Sequence, residues 1–457
     1  MTEWINRYVF GVAVPLCLLG AGIYFLAVLR FFPFTRARIV LGYFAKREKK
    51  EGTSPLRALC LALAGTLGVG NIVGVSSAIW LGGFGSVFWM CISALAAMIL
   101  KYAEILLAMR HRRQQGTGGY EGGAPYYISD ILAARGLPKI GRALAAIFAV
   151  LCIADALFMG CVIQVNAVAS ALSGVLFVPP LVSGGAMAVL CFFLFARKGE
   201  SVGALAQMLV PFMSVLYVGL SLWCILARRG DVGWAVGQIL KDAFRFESAA
   251  GGVLGFLLSR ALRFGSMRGL LSNEAGCGTS PIAHASSNAK SPVEQGFFGL
   301  LEVFVDTVLL CSMTALVVVL NYDAASAFGN DPMMMTIRAY SASFSGGAGV
   351  AVEVFLTLAV LLFGFATLVC WGHYGVQSLR YLTKDRRCRG VFVFLYSLFA
   401  VFGAIWAPAS VWTAADLAIG AMTLINVAAL FLGRREVRRE TFAYFGFCEK
   451  RRKKAKN

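Results

Sequence analysis

Two short polar stretches interrupt an otherwise apolar sequence, and their backbone groups could bind ions or a small polar molecule. The first lies within Leu61–Trp89, where four glycines and Asn71 fall between Gly65 and Gly74. The second is SNEAGCGTSP at Ser272–Pro281. Each glycine inside a helix costs about 0.5–1 kcal/mol relative to alanine, so these stretches predict helices that break in the middle.

A helix that breaks inside a membrane leaves N–H and C=O groups that lipid cannot satisfy. Such a break persists only where it lines a protein-enclosed or water-filled cavity, so a glycine-interrupted apolar segment indicates a binding site near the membrane midplane. Small residues also favour close helix packing, and for the first stretch alone that alternative stays open. A second break at a corresponding place in the chain favours the binding site.

The composition is that of a helical membrane protein. Of 457 residues, 59% are hydrophobic and only 14% are charged, whereas soluble domains have about 25% charged residues. The net charge of +19 comes from lysines and arginines clustered in short loops, which is typical of cytoplasmic loops and not of a protein that binds nucleic acid. The basic segment Glu449–Asn457 is expected to lie over anionic membrane lipid.

Other chemistry has little support in the sequence. The twelve cysteines are scattered, and the three histidines His111, His284 and His373 lie far apart, so neither a disulfide framework nor a zinc site is expected. The sequence shows no nucleophile–base constellation of the kind that would predict an enzyme. No cleavable signal peptide is evident, because the first apolar run, of roughly 25 residues, is long enough to span the membrane and stay.

The apolar runs predict eleven membrane-spanning helices. The second is the glycine-broken stretch, which turns at Leu81–Gly85, and Val232–Phe246 is predicted to be an amphipathic helix on the outer face. The other ten spans are about Ile5–Phe32, Ser86–Met109, Ala143–Leu172, Leu181–Phe195, Val202–Ala227, Gly252–Ser287, Glu294–Leu320, Gly349–Leu382, Gly390–Trp406 and Val411–Leu432. Apart from Arg228 and Arg229, the basic loops place the N-terminus outside and the C-terminus in the cytoplasm.

The two broken spans, the second and the seventh, predict the domain organisation. Without the first span, ten spans remain with breaks in the first and the sixth, as in two inverted five-helix repeats. The predicted units are the N-terminal helix with a basic cytoplasmic loop (1–57), the first repeat (58–230), the outer amphipathic helix with the second repeat (231–433), and a basic cytoplasmic tail (434–457). The predicted fold class is thus an all-α polytopic membrane protein.

Five blocks of sequence cover most of the second to ninth spans: GVGNIVGVSSAIWLGGFGSVFWM at Gly68–Met90, KYAEILLAMRHR at Lys101–Arg112, RGLLSNEAGCGTSPIAHA at Arg268–Ala285, QGFFGLLEVFVDTVLLCSMTAL at Gln295–Leu316 and FGFATLVCWGHYG at Phe363–Gly375. Together they resemble the alanine or glycine:cation symporter family, and GVGN also resembles the GLGN break of the neurotransmitter:sodium symporters. The resemblance implies a leucine-transporter-like 5+5 inverted-repeat fold preceded by one extra helix. It further implies coupling to sodium, or sometimes to protons, small neutral amino acids as substrates, and no organic cofactor.

The resemblance also implies which residues hold the substrate. The half-helix that begins near Gly70 would offer N–H groups and its positive dipole end to the carboxylate, while free carbonyls at Leu271–Asn273 would take the ammonium. Gln164 would face the substrate, with interhelical hydrogen bonding as its alternative role, while Thr367 would supply a hydroxyl and Trp371 would close the pocket. The predicted substrate set is Thr66, Val69, Gly70, Asn71, Gln164, Leu271, Asn273, Thr367 and Trp371.

By the same resemblance, main-chain and hydroxyl oxygens of four residues would bind sodium: Ala64, Leu67, Phe363 and Thr367. The sequence departs from the family here, because the usual Ser-Thr pair is Ala366-Thr367 and the usual Thr between the two glycines is Val69. Weaker sodium binding, water as a substitute ligand and a different coupling ion all stay open. A channel or sensor that binds an amino acid without coupled transport stays open as well.

Asp155, deep in the fourth predicted span, bears on the coupling ion. A carboxylate inside the membrane costs about 3 kcal/mol or more, so it indicates a functional site. Asp155 could carry a coupling proton or replace a cation ligand. The alternative is a neutral acid that is hydrogen-bonded between helices.

Two other charged pairs are expected to be structural. Glu302 and Asp306 lie four residues apart on one helical face with no basic residue in their span, so they are expected to bond the NEAG break. Lys101 and Glu104 are expected to pair near the cytoplasmic end of the third span.

Overall fold

The structure is a computed structural model that describes residues 12–44, 54–114, 119–196, 200–245, 259–405 and 408–454. Among these residues the regular structure is helical except for one two-residue antiparallel pair of strands. Long apolar runs form helices because a helix satisfies every backbone group within the segment, which lipid requires. The predicted all-α fold is confirmed for these residues.

The first half of the described chain contains both long apolar helices and shorter elements that lie outside the predicted spans. In order they are α1 Val14–Val28, α2 Phe32–Thr35, α3 Ala37–Phe44, α4 Pro55–Thr66, α5 Val73–Gly82, α6 Gly85–Arg110, β1 Arg113–Gln114, β2 Tyr120–Glu121, α7 Ala124–Ala133, α8 Pro138–Leu157, α9 Gln164–Leu176, α10 Pro180–Ala196, α11 Glu200–Ala227 and α12 Val232–Ala243. Turns of 3-10 helix lie at Val69–Asn71 and Arg229–Asp231, and a π-helical turn at Phe158–Ile163 joins α8 to α9.

The second half contains the second broken span and the longest helices. Its helices are α13 Arg260–Asn273, α14 Ser280–Ala285, α15 Pro292–Val303, α16 Ser312–Leu320, α17 Tyr322–Ala325, α18 Pro332–Ser341, α19 Gly347–Leu382, α20 Arg386–Ile405 and α21 Pro408–Lys454. A π-helical turn at Phe304–Cys311 joins α15 to α16, and a 3-10 turn lies at Ser326–Phe328.

The number of spans is only partly established. Seven helices among the described residues are long and apolar enough to cross a membrane, and the bent pair Pro55–Thr66 and Val69–Gly82 makes an eighth. Val14–Val28 and Pro180–Phe195 are shorter apolar helices. The predicted limits at Ile5, Gly252 and Trp406 lie outside the described residues. The total of eleven spans stays a prediction.

Three features differ from the sequence predictions. The fourth and eighth predicted spans each contain a π-helical turn, which no periodicity indicated. The last helix does not end near Leu432 but continues through Gly433 to Lys454. Its polar extension, RREVRRETF, contains no proline and is rich in arginine and glutamate, which favour helix.

The packing brings the two broken spans together. Helix α13 packs along α6 and against α5, and α14 lies between α4 and α6. On the other side of the first break, α19 packs against α4, α8 and α9. The 3-10 turn Val69–Asn71 contacts both α13 and the π-helical turn Phe304–Cys311, so irregular backbone from three spans meets at one place.

Candidate binding site between two broken helices

The first break is a kinked, fully buried turn. Helix α4 ends at Thr66, the chain bends by 58°, and α5 begins at Val73. Because the helical pattern is lost here, side chains from other spans take over the backbone groups. The Val69 N–H donates to Oε1 of Gln164 at 3.1 Å, and Nε2 of Gln164 donates to the carbonyl of Met159 at 3.2 Å. The Oε1 atom of Gln164 thus makes an interhelical hydrogen bond, the alternative left open for this residue, whereas its Nε2 bonds within its own span.

Position 68 requires glycine because Thr367 and Gln164 lie too close to it for any side chain. A Cβ atom at Gly68 would lie 2.6 Å from Oγ1 of Thr367 and 2.8 Å from Oε1 of Gln164. Any side chain at this position would therefore push apart the two polar groups that contact the break. At Gly74, the second residue of α5, no atom lies within 4 Å of such a Cβ.

Part of the predicted sodium set is assembled in the structure. The hydroxyl of Thr367 on α19 donates to the carbonyl of Ala64 on α4 at 2.8 Å. Leu67 follows the end of α4 and Phe363 lies one turn before Thr367 on α19, and both are buried. The candidate sodium ligands are carbonyl and hydroxyl oxygens, the ligand type that hard cations prefer.

The second break has a different backbone. After α13 ends at Asn273, Glu274 adopts φ 52°, and Gly276 and Gly278 adopt φ 90° and 83°. Such left-handed conformations suit glycine and explain the spacing in NEAGCG. The Oδ1 atom of Asn273 accepts a hydrogen bond from the Ala275 N–H at 3.0 Å.

Charged side chains support the second break. Nζ of Lys101 lies 3.2 Å from Oε1 of Glu302, and Nε2 of His284 lies 3.0 Å from Oε2 of Glu302. The Ser280 hydroxyl, on the first turn of α14, donates to Glu302 at 2.8 Å and accepts from Lys101 at 2.6 Å. Lys101, His284 and Glu302 have no exposed surface.

One prediction about these charges was wrong, because Lys101 pairs with Glu302 instead of Glu104. As expected, Glu302 and Asp306 have no basic partner in their own span and bond the second break, through Ser280 and Ser272. Glu104 instead accepts the Gly278 N–H at 3.0 Å and a hydrogen bond from Asn426 on α21. Helical spacing identified the charged faces correctly but not which neighbouring helix each face contacts.

Asp306 connects the two breaks and was missed as a site residue. Its Oδ1 accepts from Nδ2 of Asn71 at 2.8 Å, and its Oδ2 accepts from the hydroxyls of Ser272 at 2.8 Å and Thr307 at 2.7 Å. Asn273 in turn donates to Thr307 at 3.1 Å. Asp306 lies in the π-helical turn Phe304–Cys311, and only its four-residue spacing from Glu302 signalled it in the sequence.

The breaks approach each other most closely at Gly70. A Cβ at Gly70 would lie 3.6 Å from Cα of Ser272 and 3.7 Å from the carbonyl oxygen of Leu271. The Asn71 side chain, held through Nδ2 by Asp306, leaves its buried Oδ1 without a hydrogen-bond partner among the described residues. The Oδ1 atom of Asn71, a hydrogen-bond acceptor without a partner among the described residues, thus lies where the two helix breaks come close together.

The remaining predicted residues lie around this junction. Thr66 ends α4, and Trp371 on α19 packs on the backbone of Gly160, where a Cβ would lie 2.2 Å from that of Trp371. Trp371 is fully buried, and its Nε1 has no partner among the described residues. All nine residues of the predicted substrate set are buried.

Asp155 on α8 is fully buried, and neither carboxylate oxygen has a hydrogen-bond partner in the part of the chain that the structure describes. The expected alternative, an acid hydrogen-bonded between helices, is thus not seen for these residues. Burying an unpartnered carboxylate is costly, which keeps Asp155 as a candidate for function.

A cavity of about 380 Å³ lies to one side of the junction. Its lining includes Val73, which begins α5, and Ile163, which precedes Gln164. It also includes Trp412, over whose ring the guanidinium of Arg268 lies at 4.4 Å. Arg268 also lies 3.7 Å from Asp416, and both side chains are nearly buried. None of the nine predicted substrate residues lines this cavity, whereas Asn273 lines a second, much smaller cavity together with Leu18 and Ala97.

Known proteins resemble this chain in sequence and in fold. The sodium:alanine symporter family matches residues 1–457. An uncharacterized transporter of Haemophilus influenzae is 34% identical over 445 residues, which cover 96% of this chain and 95% of that protein. The sodium/alanine symporter AgcS of Methanococcus maripaludis is 33% identical over 461 residues, which cover 100% of this chain and 99% of that protein.

Among solved structures, MhsT in complex with L-phenylalanine has a TM-score of 0.53 at 14% identity, covering 84% of this chain and 90% of that chain. At this identity the likeness concerns the fold alone. It supports the predicted leucine-transporter-like arrangement of the helices.

Proposed function

Because this chain belongs to the sodium:alanine symporter family, we propose that it carries a small neutral amino acid, such as alanine or glycine, into the cell together with sodium. The chain is a multi-pass membrane transporter and not an enzyme. The amino acid and the coupling ion are the parts of this statement that belong to the proposal.

The observation that carries the proposal is the buried junction of the two breaks. A Cβ added at Gly70 would lie at van der Waals distance from the Leu271 carbonyl oxygen, and the residues around them are buried. A zwitterionic amino acid needs an anion site and a cation site a few ångströms apart. The start of α5 supplies the first through its helix dipole. The Leu271 carbonyl and the unpartnered Oδ1 of Asn71 supply the second.

The side chains around the junction select a small substrate. Trp371 is fully buried against Gly160, so little room is left on that side for a large side chain. Val69 replaces a threonine of the family and makes the pocket more apolar. Thr66, Gln164, Asn273 and Thr367 complete the proposed substrate set, and Gln164 acts by fixing the Val69 N–H.

Sodium is proposed to bind the carbonyls of Ala64, Leu67 and Phe363 and the hydroxyl of Thr367. The 2.8 Å hydrogen bond between Thr367 and Ala64 supports this set, because it brings oxygens of two different spans together without any carboxylate. The missing hydroxyl at Ala366 removes one neutral ligand, so sodium is expected to bind more weakly than to a site with both hydroxyls.

Transport is proposed to occur by alternating access between the repeats 58–230 and 231–433. In the proposed orientation the N-terminus is outside the cell membrane and the C-terminus is cytoplasmic, as the basic loops predict. The cavity beside Val73 and Ile163 then lies on the route between the outer side and the junction.

The test is uptake of labelled amino acids by the purified protein in proteoliposomes, with imposed sodium, potassium and proton gradients. Accumulation of alanine or glycine driven by an inward sodium gradient is expected. Equal uptake with sodium and potassium gradients and with a collapsed proton gradient would contradict coupled symport and favour a channel or sensor.

Proton coupling is the second candidate function, and the unpartnered buried carboxylate of Asp155 favours it. If Asp155 carries the coupling proton, Asp155→Asn should abolish the dependence of uptake on external pH while alanine binding at one fixed pH persists. Uptake with an unchanged pH profile and unchanged sodium affinity would make Asp155 a structural residue. Asp323→Asn, in the short helix α17 outside the predicted spans, is the matched control.

A further inference from the structure

A basic and aromatic cluster lies where the first and last helices leave the membrane. Helix α21 has 47 residues, which at 1.5 Å per residue makes it about 70 Å long, more than twice the hydrocarbon thickness of a bilayer. Its polar part after Gly433 therefore extends beyond the membrane and packs beside α2, which follows the apolar helix α1. We call Arg30, Thr35, Arg36, Arg438, Phe442 and Glu449 the Arg30 cluster.

The cluster surrounds a cavity of about 440 Å³, large enough for a small polar headgroup. Arg30, Thr35, Arg36, Phe442 and Glu449 line this cavity. The guanidinium carbon of Arg30 lies 5.4 Å from the ring centroid of Phe442, and that of Arg438 lies 5.9 Å from the same ring. Two cations, one from the turn between α1 and α2 and one from α21, thus share one aromatic ring.

The cluster has an excess of positive charge. Arg36 forms an ion pair with Glu449, and its guanidinium carbon lies 4.9 Å from the ring centroid of Phe445. Arg30 and Arg438 have no carboxylate within ion-pair distance among the described residues. Two guanidinium groups therefore stay available for an anion, and guanidinium is the group best suited to bidentate contact with phosphate.

Exposed aromatic residues lie in the same chain segment as Arg30 and Arg36, which line the cavity. Phe31 is 47% exposed and Phe34 is 60% exposed, and both lie between Arg30 and Arg36 in the chain. Arg30 and Phe31 adopt φ 56° and 51°, so the chain turns sharply at the end of α1. A cationic cavity beside exposed aromatic side chains at a membrane boundary matches a molecule with an anionic head and apolar tails.

We propose that the Arg30 cluster binds the phosphate headgroup of an anionic phospholipid, with Phe31 and Phe34 against its acyl chains. A free phosphate ion offers the same charge but would leave the two phenylalanines uncovered. The bound lipid joins α1 and α2 to the extension of α21, which otherwise meet through the Arg36–Glu449 pair and the packing of Phe32 on Phe445.

The test is native mass spectrometry of the full-length protein after exchange into mixed micelles with equal amounts of phosphatidylglycerol and phosphatidylcholine. The wild type should retain phosphatidylglycerol in preference to phosphatidylcholine. Arg30→Gln/Arg438→Gln should lose about 30-fold in preference, because each basic residue near a membrane contributes roughly fivefold to anionic-lipid binding. Arg386→Gln/Arg387→Gln, an equal loss of charge at exposed positions of α20, should retain the preference.

Each other outcome would overturn the proposal. Equal retention of both lipids by the wild type, or unchanged preference in the double variant, would exclude the site. An equal loss in the Arg386/Arg387 control would indicate bulk charge alone. Displacement of the lipid by millimolar inorganic phosphate would indicate a soluble-anion site. If the double variant does not fold, Arg438→Gln alone, at an exposed position, should still lower the preference about fivefold.

Discussion

The two helix breaks satisfy their freed backbone groups in different ways. At the first break, uncharged side chains do so: Gln164 accepts the Val69 N–H and Thr367 donates to the Ala64 carbonyl. At the second break, Glu104 accepts the Gly278 N–H and Asn273 accepts the Ala275 N–H, while the carboxylate of Glu302 holds α14 through the side chains of Ser280 and His284. Asp306 joins the two by accepting hydrogen bonds from Asn71 and Ser272.

The difference indicates a division of labour between the breaks. A charged ligand binds best at a site that contains no charged side chains of its own. The backbone dipoles and neutral oxygens of such a site can then interact with the ligand. Lys101, Ser280 and His284 occupy both oxygens of Glu302, which thereby fixes a helix of only six residues that could not hold its place alone. Glu104 and Glu274 each keep one buried carboxylate oxygen without a hydrogen-bond partner among the described residues. We therefore expect ligand binding to depend on the first break and stability to depend on the second.

The largest effect should come from breaking the charge network. Glu302→Gln leaves Lys101 buried without its partner, and such changes cost about 3–5 kcal/mol of stability. A marked fall in the unfolding temperature of the purified protein in detergent is expected. Glu121→Gln, which removes a partly exposed pair with Arg380, should change stability by about 1 kcal/mol or less. Similar unfolding temperatures for the two variants would contradict the supporting role of the second break.

The next effect should come from filling the first break. Gly68→Ala forces a methyl group against Thr367 and Gln164, and overpacking of this kind costs about 1–3 kcal/mol, so amino-acid uptake should fall roughly 10- to 100-fold. Gly74→Ala is the matched control, since no atom lies within 4 Å of its Cβ. We expect near-normal uptake for Gly74→Ala. Equal uptake by both variants would mean that the Gln164 and Thr367 contacts do not matter for binding.

The smallest effect should come from adding an oxygen to the first break. Ala366→Ser restores the hydroxyl pair of the family beside Thr367, and one hydrogen-bond-like contact of about 1 kcal/mol corresponds to a roughly fivefold gain in sodium affinity. The measurement is the sodium concentration that gives half-maximal uptake. Ala359→Ser, two turns earlier on α19, serves as control. An unchanged or higher half-maximal concentration for Ala366→Ser would exclude this position from the sodium site.

Much of the fold follows from the sequence because it depends on local composition. The glycine clusters predicted both breaks, and α13 ends at Asn273, within the predicted Leu271–Asn273 region. The family resemblance grouped Thr367 with Ala64 as sodium ligands; the two are joined by a 2.8 Å hydrogen bond, and the ligand set stays a prediction. The repeat boundaries and the total of eleven spans stay predictions.

The partners of buried charges could not be predicted. Whether Lys101 meets Glu104 or Glu302 depends on how α6 and α15 rotate about their axes, which no spacing within one helix encodes. The role of Asp306 depends on a π-helical turn that shifts the face of its span, and apolar periodicity gives no sign of that turn. The continuation of α21 beyond Leu432 was missed because a basic segment after an apolar run resembles a tail.

The first break is expected to bind the ligands and the second to provide stability, and the most direct test is an experimental structure with alanine and sodium bound. The alanine carboxylate is expected at the start of α5 near Gly70, its ammonium near the Leu271 carbonyl, and sodium beside Thr367, with the Lys101–Glu302 pair intact. Alanine bound with its carboxylate on Lys101, or density for a ligand at the second break alone, would contradict the account.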